Sequence, residues 1–387
     1  VASKITKPRN FFMGVVLCAC YALYMTPVNI SPLLIAALVS DLSLTADQAG
    51  FVLTVEFFGL AMTSAMLSSL ASRLPLKRVL LGGAGLAIVG NMLALQAGSI
   101  EVLIVLRFIA GVGLGVLLLG INMGIARTPD PVKLYGLATT TGLVVAAILF
   151  LMLPAILEQW AITGAYGLLV LLSLFTFLII LFLPEFSDNA DNRSEVTRLE
   201  VSGIKLVSLI LALLLISSTY VAFYVFSERI GTNTGLSSKD MATLLALIQI
   251  PCFLATGLAS WLGSRFGLFT PLLFAVCGQA LAILIATQTE SSFVFVVSFF
   301  VNNALFLFSL PYQLGIGAAL DETGRVASIA GGTFIFGSAI GPYLGGYLIE
   351  SQGISSIGLV TCASVAIALP LCWYVTRRIA PVVVESH

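Results

Sequence analysis

Long apolar segments alternate with short polar connections along the whole chain, and this pattern predicts twelve membrane-spanning helices. Each segment is continuously apolar over about 20 residues, the length that a helix needs to cross the hydrocarbon core of a bilayer. The strands of an outer-membrane barrel would instead alternate apolar and polar residues. The predicted spans are 11–36, 48–71, 79–98, 101–126, 134–157, 162–184, 203–227, 241–263, 270–288, 291–317, 325–349 and 355–377.

The longest polar stretch, residues 185–202 (EFSDNADNRSEVTRLEVS), follows the sixth predicted span. We interpret this stretch as a solvated cytoplasmic linker. The sequence therefore predicts an all-α membrane protein with an N-terminal six-helix bundle over 1–184 and a C-terminal six-helix bundle over 203–387.

The two halves carry similar short segments at equivalent places, which indicates an internal repeat. The segment SRLPL at 72–76 ends span 2, and SRFGL at 264–268 ends span 8, an offset of 192 residues. The segment NMGI at 122–125 parallels QLGI at 313–316, an offset of 191 residues. Twelve spans in two like, pseudo-symmetric halves predict alternating access around a site near the bilayer midplane.

The basic residues are strongly biased to one side of the predicted membrane. Of the 18 lysines and arginines, fifteen lie at the termini or in the even-numbered connections, and only Arg229 and Lys239 lie on the other side. Positive charge marks the cytoplasmic side, so both termini are predicted to be cytoplasmic, in a cytoplasmic (inner) membrane. Basic residues lead straight into the first apolar segment, which is typical of a retained span rather than a cleaved signal.

The composition excludes several classes of function. Charged residues make up only 9% of the chain and the mean hydropathy is +1.09, whereas a soluble domain has about 25% charged residues. The charge is balanced, so no nucleic-acid partner is expected. The only histidine is His387, and all six cysteines lie in apolar runs without a CxxC pair. We interpret the cysteines as small core residues rather than as a disulfide or metal site.

The charged and nucleophilic residues are also too few for an enzyme within the membrane. Such an enzyme would need clustered histidine, aspartate, cysteine or paired serine and base at membrane depth, so the chain is not expected to be an enzyme. No G-x-x-x-x-G-K-[ST] segment occurs, so no ATP-binding loop is predicted. No cofactor is expected, and a proton gradient is the expected driving force.

Three local patterns resemble the motifs of the major facilitator superfamily of secondary transporters. The loop after span 2 contains Arg73 followed by the basic pair Lys77 and Arg78, although Ser72 stands at the family's acidic position. Span 4 contains the R-x-x-x-G-x-G pattern that begins at Arg107. The third pattern, G-x-x-x-G-P-x-x-G-G over 337–346, marks exchangers when it lies in span 5, but here it lies in span 11.

The resemblance covers essentially the whole chain, and it implies a secondary transporter with a cavity lined by spans 1, 4, 7 and 10. The residues that it implies for gating are Arg73, Lys77, Arg78, Gly341 and Pro342. Polar and aromatic residues near the span midpoints are the candidate substrate contacts, namely Tyr21, Tyr24, Asn29, Tyr220, Tyr224, Gln249, Asn302, Asn303 and Gln313.

Glu56 and Arg107 are the only charged residues well inside the predicted spans. A charge in hydrocarbon costs at least about 2.5–3.5 kcal/mol on insertion scales, so each needs a cavity, a partner or a function. Glu56 lies about 13 Å and Arg107 about 9 Å from the outer ends of their spans, at 1.5 Å per residue. One interpretation makes Glu56 a proton-coupling carboxylate; the other makes the two a fixed ion pair. If Arg107 is unpaired, it could instead bind a substrate anion.

These observations predict a secondary active transporter for a small organic solute, an aromatic compound or a weak acid, that is coupled to protons through Glu56. The alternative is a proton-independent uniporter or solute exchanger in which Glu56 and Arg107 form a structural pair. The lipid bilayer, the solute and protons are the expected partners. Each chain of this type can hold a complete pathway, so a monomer is the expected functional unit.

Overall fold

The computed structural model describes residues 7–67, 74–126, 128, 131–183, 201–263, 265–320 and 325–377. Within these ranges the chain is α-helical and contains no β-strand. The helices are α1 (Lys7–Asn29), α2 (Ser31–Leu42), α3 (Ala46–Leu67), α4 (Leu76–Ala94), α5 (Ile100–Ala126), α6 (Pro131–Leu181), α7 (Gly203–Val225), α8 (Ser227–Asn233), α9 (Ser238–Leu247), α10 (Gln249–Leu262), α11 (Phe269–Gln288), α12 (Ser292–Leu320), α13 (Arg325–Gln352) and α14 (Ser355–Thr376).

Ten segments among the described residues are long and apolar enough to cross a bilayer. One of them, Gly136–Leu181, is 46 residues long and covers most of the fifth and sixth predicted spans. Within α6 these two spans are two helices, which meet at a sharp non-helical kink at Ala161 (φ 52°, ψ −153°). A positive φ is uncommon for a residue other than glycine, and this kink lies in the short connection, 158–161, that the predicted spans leave between them.

Two predicted spans are each divided into two helices. Span 1 is divided at Ile30 into α1 and α2, and span 8 is divided at Ile248 into α9 and α10. Pro32 and Pro251 follow these breaks closely, each within the first turn of the second helix. Proline has no N–H, and its ring clashes with the carbonyl group four residues earlier, so it fits the first turn of a helix but interrupts a longer one.

The described residues form two compact units. One unit draws on Val1–Leu42 and Val52–Glu195, and the other on Ser43–Phe51 and Val196–His387. In the first unit, α4 packs along α5, and α1 packs along α6. In the second unit, α13 and α14 pack on α7, and α11 packs on α12. Each unit has its own apolar core.

The glycine motif of α13 has two rows of small residues. Gly337, Gly341 and Gly345 face α7, where an added Cβ would overlap Ser217 or approach the backbone of α7 within 3 Å. Gly346 lies against the backbone of Ala46, at the start of α3. Small residues at such positions allow helix backbones to approach closely, so the motif fits α13 to two neighbours at once.

The first turn of α3 is capped by a distant residue. The backbone N–H of Ala46 donates to Oε1 of Glu350, 304 residues later in the chain, at 2.9 Å. The first N–H groups of a helix have no partner inside the helix, and a carboxylate also interacts favourably with the positive end of the helix dipole. Glu350 lies 3.6 Å from Nη1 of Arg229 as well, so one carboxylate joins α3, α8 and α13.

Candidate functional site

Glu56 of α3 and Arg107 of α5 form an ion pair inside the first unit. Nη2 of Arg107 lies 3.2 Å from Oε1 of Glu56, and each side chain is only 1% exposed. The two helices are very close here, because Gly111 lies directly against the backbone of Glu56 and Gly115 lies against the backbone of Leu60. The close backbone contact brings together two charges whose pairing the sequence left open.

Arg107 has partners besides Glu56. Its Nη2 group donates to Oδ1 of Asn91 in α4 at 2.7 Å, which is shorter than its contact with Glu56. Its guanidinium carbon lies 4.9 Å from the ring centroid of Tyr166 in α6, within the range of a cation–π interaction. Asn91 is in turn hydrogen-bonded to Ser173 of α6. Four helices therefore contribute to the surroundings of one buried guanidinium group.

The ion pair leaves part of its hydrogen-bonding capacity unused. Oε2 of Glu56 and the Nε and Nη1 groups of Arg107 are buried and have no hydrogen-bond partner among the described residues. The contact is therefore single rather than bidentate. A guanidinium group offers five N–H donors, and buried donors without partners are costly, so a rearranged contact between the two side chains could satisfy more of them.

Asn91, Tyr166 and Ser173 were not predicted from the sequence to be part of this site. Asn91 is the most informative of them, since an amide near the middle of an apolar span is costly unless it has a partner. It was not predicted because the resemblance places the cavity between spans 1, 4, 7 and 10, whereas Asn91 lies in span 3. Tyr166 and Ser173 are too common in apolar helices to have been singled out by type alone.

In the second unit, five of the candidate substrate contacts lie on α7 and α12. The hydroxyl group of Tyr220 donates to Oδ1 of Asn303 at 2.9 Å. The ring of Tyr220 stacks between the rings of Tyr224 and Phe306. Asn302 is fully buried, and neither its amide nitrogen nor its amide oxygen has a hydrogen-bond partner in the described part of the chain.

The two glutamine candidates, Gln313 and Gln249, have different hydrogen-bond partners from these tyrosine and asparagine residues. Nε2 of Gln313 donates to Oγ of Ser309 at 2.8 Å, and Gln279 of α11 donates to the same oxygen at 3.2 Å. Gln249 is half-buried and donates to the carbonyl group of Leu245 in the preceding turn. These glutamines are thus partly satisfied by contacts with neighbouring helices or with their own backbone.

The candidates from span 1 lie on α1 in the first unit. Tyr21 and Tyr24 are half-buried and form an edge-to-face pair with ring centroids 5.8 Å apart. The ring of Tyr21 also lies beside Gly142 of α6. Asn29 is the last residue of α1, immediately before the break at Ile30.

The gating candidates occupy different environments. Nζ of Lys77 donates to the carbonyl oxygen of Leu181 at 2.7 Å, at the end of α6, whereas Arg78 is exposed. Arg73 lies outside the described residues. Gly341 and Pro342 are buried in the packing of α13 described above. A gating role for these residues stays a prediction.

A second acidic residue, Glu228, is buried, and it lies outside the membrane-spanning segments. Glu228 of α8 is 6% exposed, and its Oε1 accepts a hydrogen bond from Ser238 at 2.7 Å. Burial raises the pKa of the Glu228 carboxyl group, and the Ser238 hydroxyl group partly opposes that shift. A raised pKa favours the folded state at low pH, so this contribution to stability is lost as the pH rises through the folded-state pKa.

We therefore expect Glu228→Gln to make the protein more stable at neutral pH than the wild type. A gain of about 1 kcal/mol would raise the melting temperature by roughly 2–4 °C. Thermal unfolding of the detergent-purified protein between pH 4 and pH 8 measures the melting temperatures of the variant and the wild type. The difference between the two melting temperatures should disappear near pH 4. Glu290→Gln, which changes an exposed carboxylate, is the control. Equal stability of Glu228→Gln and the wild type at every pH would contradict the expectation.

Comparison with known proteins supports the same interpretation of the fold. The sequence matches the Major Facilitator Superfamily over residues 13–320. The structure is similar to that of a D-xylose-proton symporter (TM-score 0.76, 16% identity, covering 93% of this chain and 97% of that one). It is also similar to the nucleoside transporter NupG (TM-score 0.75, 14% identity, 94% and 98%). A bacterial homolog of the human lysosomal transporter Spinster matches with a TM-score of 0.72, 14% identity, and coverage of 97% and 98%.

Proposed function

The chain belongs to the major facilitator superfamily, and from that premise we propose that it transports a small organic solute at the expense of a proton gradient, with Glu56 as the proton-binding residue. The family makes it a multi-pass membrane transporter rather than an enzyme. The twelve-span fold predicted from the sequence agrees with this family and with the transporter structures above. Proton coupling and the kind of solute are the parts that we propose.

The observation that carries the proposal is the buried Glu56–Arg107 pair. Both side chains of this pair are only 1% exposed. In the ion pair between Arg229 and Glu350, by contrast, each side chain is more than a third exposed. A carboxylate can take up a proton but a guanidinium group cannot lose one. The pair therefore has two charge states, neutral overall or singly positive. A change in hydration around the pair changes the balance between these two states, which is the physical basis of coupling.

A second candidate function is uniport or solute exchange without protons, with Glu56 and Arg107 as a structural pair. The close packing of Gly111 against the backbone of Glu56 favours this alternative, because it makes α3 and α5 a rigid pair. The single hydrogen bond and the unpartnered Oε2 of Glu56 favour the coupled transporter, since a purely structural pair would gain from a bidentate contact.

We infer that the solute is aromatic and uncharged rather than a weak acid. Arg107 is buried and already bound to Glu56 and Asn91, so it offers no free surface to a carboxylate. The candidate contacts on α7 and α12 are aromatic rings and amides, which suit a planar solute with hydrogen-bonding groups. We further propose a monomer in an inner membrane, with both termini in the cytoplasm as the distribution of lysine and arginine predicts.

Reconstituted protein tests this function directly. Proteoliposomes loaded with a pH-sensitive dye would be exposed to a panel of neutral aromatic compounds, organic acids and cationic drugs. We expect one class to evoke a pH change in the wild type and in the control Glu290→Gln. Glu56→Gln should abolish this pH change but retain counterflow of the same compound. Solute flux without any pH change would establish the uniporter or exchanger instead, and an unaltered pH change in Glu56→Gln would exclude Glu56 as the proton site.

A further inference from the structure

We propose that Asn91 and Tyr166 are positioning residues that hold Arg107 in place when Glu56 is protonated, and that they thereby set the pH at which Glu56 takes up its proton. This inference rests on the proposed role of Glu56. It assigns a part in coupling to two uncharged side chains that do not bind the proton themselves.

The geometry gives Arg107 a second partner that does not depend on the charge of Glu56. One nitrogen, Nη2, donates both to Glu56 and to Asn91, and the contact with Asn91 is the shorter by half an ångström. Tyr166 presents its ring to the same guanidinium group. Neither contact requires a negative charge, so both persist when Glu56 becomes neutral.

Ser173 fixes the direction of the Asn91 amide. Its hydroxyl group donates to the carbonyl oxygen of Leu169 at 2.6 Å, so its lone pairs are available to accept. Nδ2 of Asn91 donates to this oxygen at 3.4 Å. The amide oxygen of Asn91 is therefore turned towards Arg107, and the hydrogen-bond network itself determines which end of the amide faces which neighbour.

The two charge states of the pair depend unequally on these contacts. With Glu56 ionised, Arg107 has a carboxylate partner whether or not Asn91 is present. With Glu56 protonated, Arg107 remains positive and buried, and its Nε and Nη1 groups have no hydrogen-bond partner in the described part of the chain. Loss of Asn91 or of the Tyr166 ring therefore penalises the protonated state more, and proton uptake should require a lower pH.

Within the described part of the chain, Glu56 has few titratable neighbours. The titratable groups that interact with Glu56 are Arg107 from α5 and Tyr166 from α6. Asn91 from α4 and Ser173 from α6 are uncharged. Tyr166 does not need to titrate, because it contacts Arg107 as a neutral side chain through its ring and its hydroxyl group.

Infrared difference spectroscopy can follow the protonation of Glu56 without any solute. The full-length protein in lipid nanodiscs would be titrated with protons, and the carbonyl stretch of protonated Glu56 would be identified by its loss in Glu56→Gln. We expect Asn91→Leu and Tyr166→Leu each to move the midpoint to lower pH by about one unit, the size expected for one lost partner of a buried charge. Tyr166→Phe retains the ring but loses the hydroxyl contact with Arg107, so its midpoint should fall between those of the wild type and Tyr166→Leu.

A matched control comes from the second unit, where Gln279 is a buried amide of α11 that is hydrogen-bonded to Ser309 and has no charged neighbour in these contacts. Gln279→Leu should leave the Glu56 midpoint unchanged. Unchanged or raised midpoints in both leucine variants, Asn91→Leu and Tyr166→Leu, would overturn the positioning role while leaving Glu56 as the proton site. No titrating Glu56 band in the wild type would reject the proposed function itself. The Tyr166 series gives an independent answer if Asn91→Leu does not fold.

Discussion

Glu56→Leu should destabilise the protein by about 3–5 kcal/mol, the cost of removing one partner of a buried ion pair, whereas Arg107→Leu should cost clearly less. The two variants differ because Glu56 can lose its charge by taking up a proton when its partner is removed, whereas Arg107 cannot lose its charge. Without Arg107, Glu56 can take up a proton and become neutral. Without Glu56, Arg107 remains charged and keeps only Asn91 and the Tyr166 ring as described partners.

Unfolding in mixed detergent micelles, followed by circular dichroism, measures both variants on one scale. The double variant Glu56→Leu with Arg107→Leu should recover most of the loss, because replacing a buried pair by apolar side chains is often neutral or stabilising. Glu56→Gln should fall between the extremes, since an amide oxygen can still accept from Nη2. If Arg107→Leu proves as damaging as Glu56→Leu, the ability of Glu56 to neutralise itself plays no part in the stability of the pair.

Gly111→Ala should severely reduce the yield of folded protein. An added Cβ at this position would overlap the carbonyl oxygen of Glu56 in α3, and backbone atoms cannot move aside as a flexible side chain can. Overpacking of this kind costs about 1–3 kcal/mol or more, and here it would also separate Glu56 from Arg107. Size-exclusion profiles and thermal unfolding of the purified variant measure the effect.

Gly82→Ala is the matched control for this substitution. Gly82 lies on an exposed face of α4, and an added Cβ there would meet nothing within 4 Å. Alanine should therefore be tolerated and should add up to about 1 kcal/mol through its higher helix propensity. Normal folding of Gly111→Ala, with stability equal to that of Gly82→Ala, would show that α3 and α5 are not in backbone contact where Gly111 faces Glu56.

The fold follows from the sequence more readily than the site does. The long apolar runs identify most helices because nothing else satisfies the backbone in lipid. The breaks at Ile30 and Ile248 were missed, although Pro32 and Pro251 lie beside them. Proline interrupts a longer helix, but the apolar pattern runs through both breaks, so each pair of helices was predicted as one continuous span.

For the site, the charge pattern identified Glu56 and Arg107, because an intramembrane charge is rare enough to be informative. Their contact was only one of several alternatives, since depth along a helix does not reveal the direction in which a side chain points. Asn91 and Tyr166 required the structure. Their importance comes from their position beside Arg107, and neither residue type is unusual enough in an apolar helix to reveal it.

The bond between Ala46 and Glu350 has a consequence for the order of synthesis. A ribosome adds about 5–20 residues per second, so the cap of α3 is translated roughly 15–60 s after the helix that it completes. During that interval the first turn of α3 is exposed to solvent without its carboxylate partner. A nascent chain that has not reached Glu350 should therefore show a frayed start to α3, since a residue of α13 completes a helix that was made much earlier.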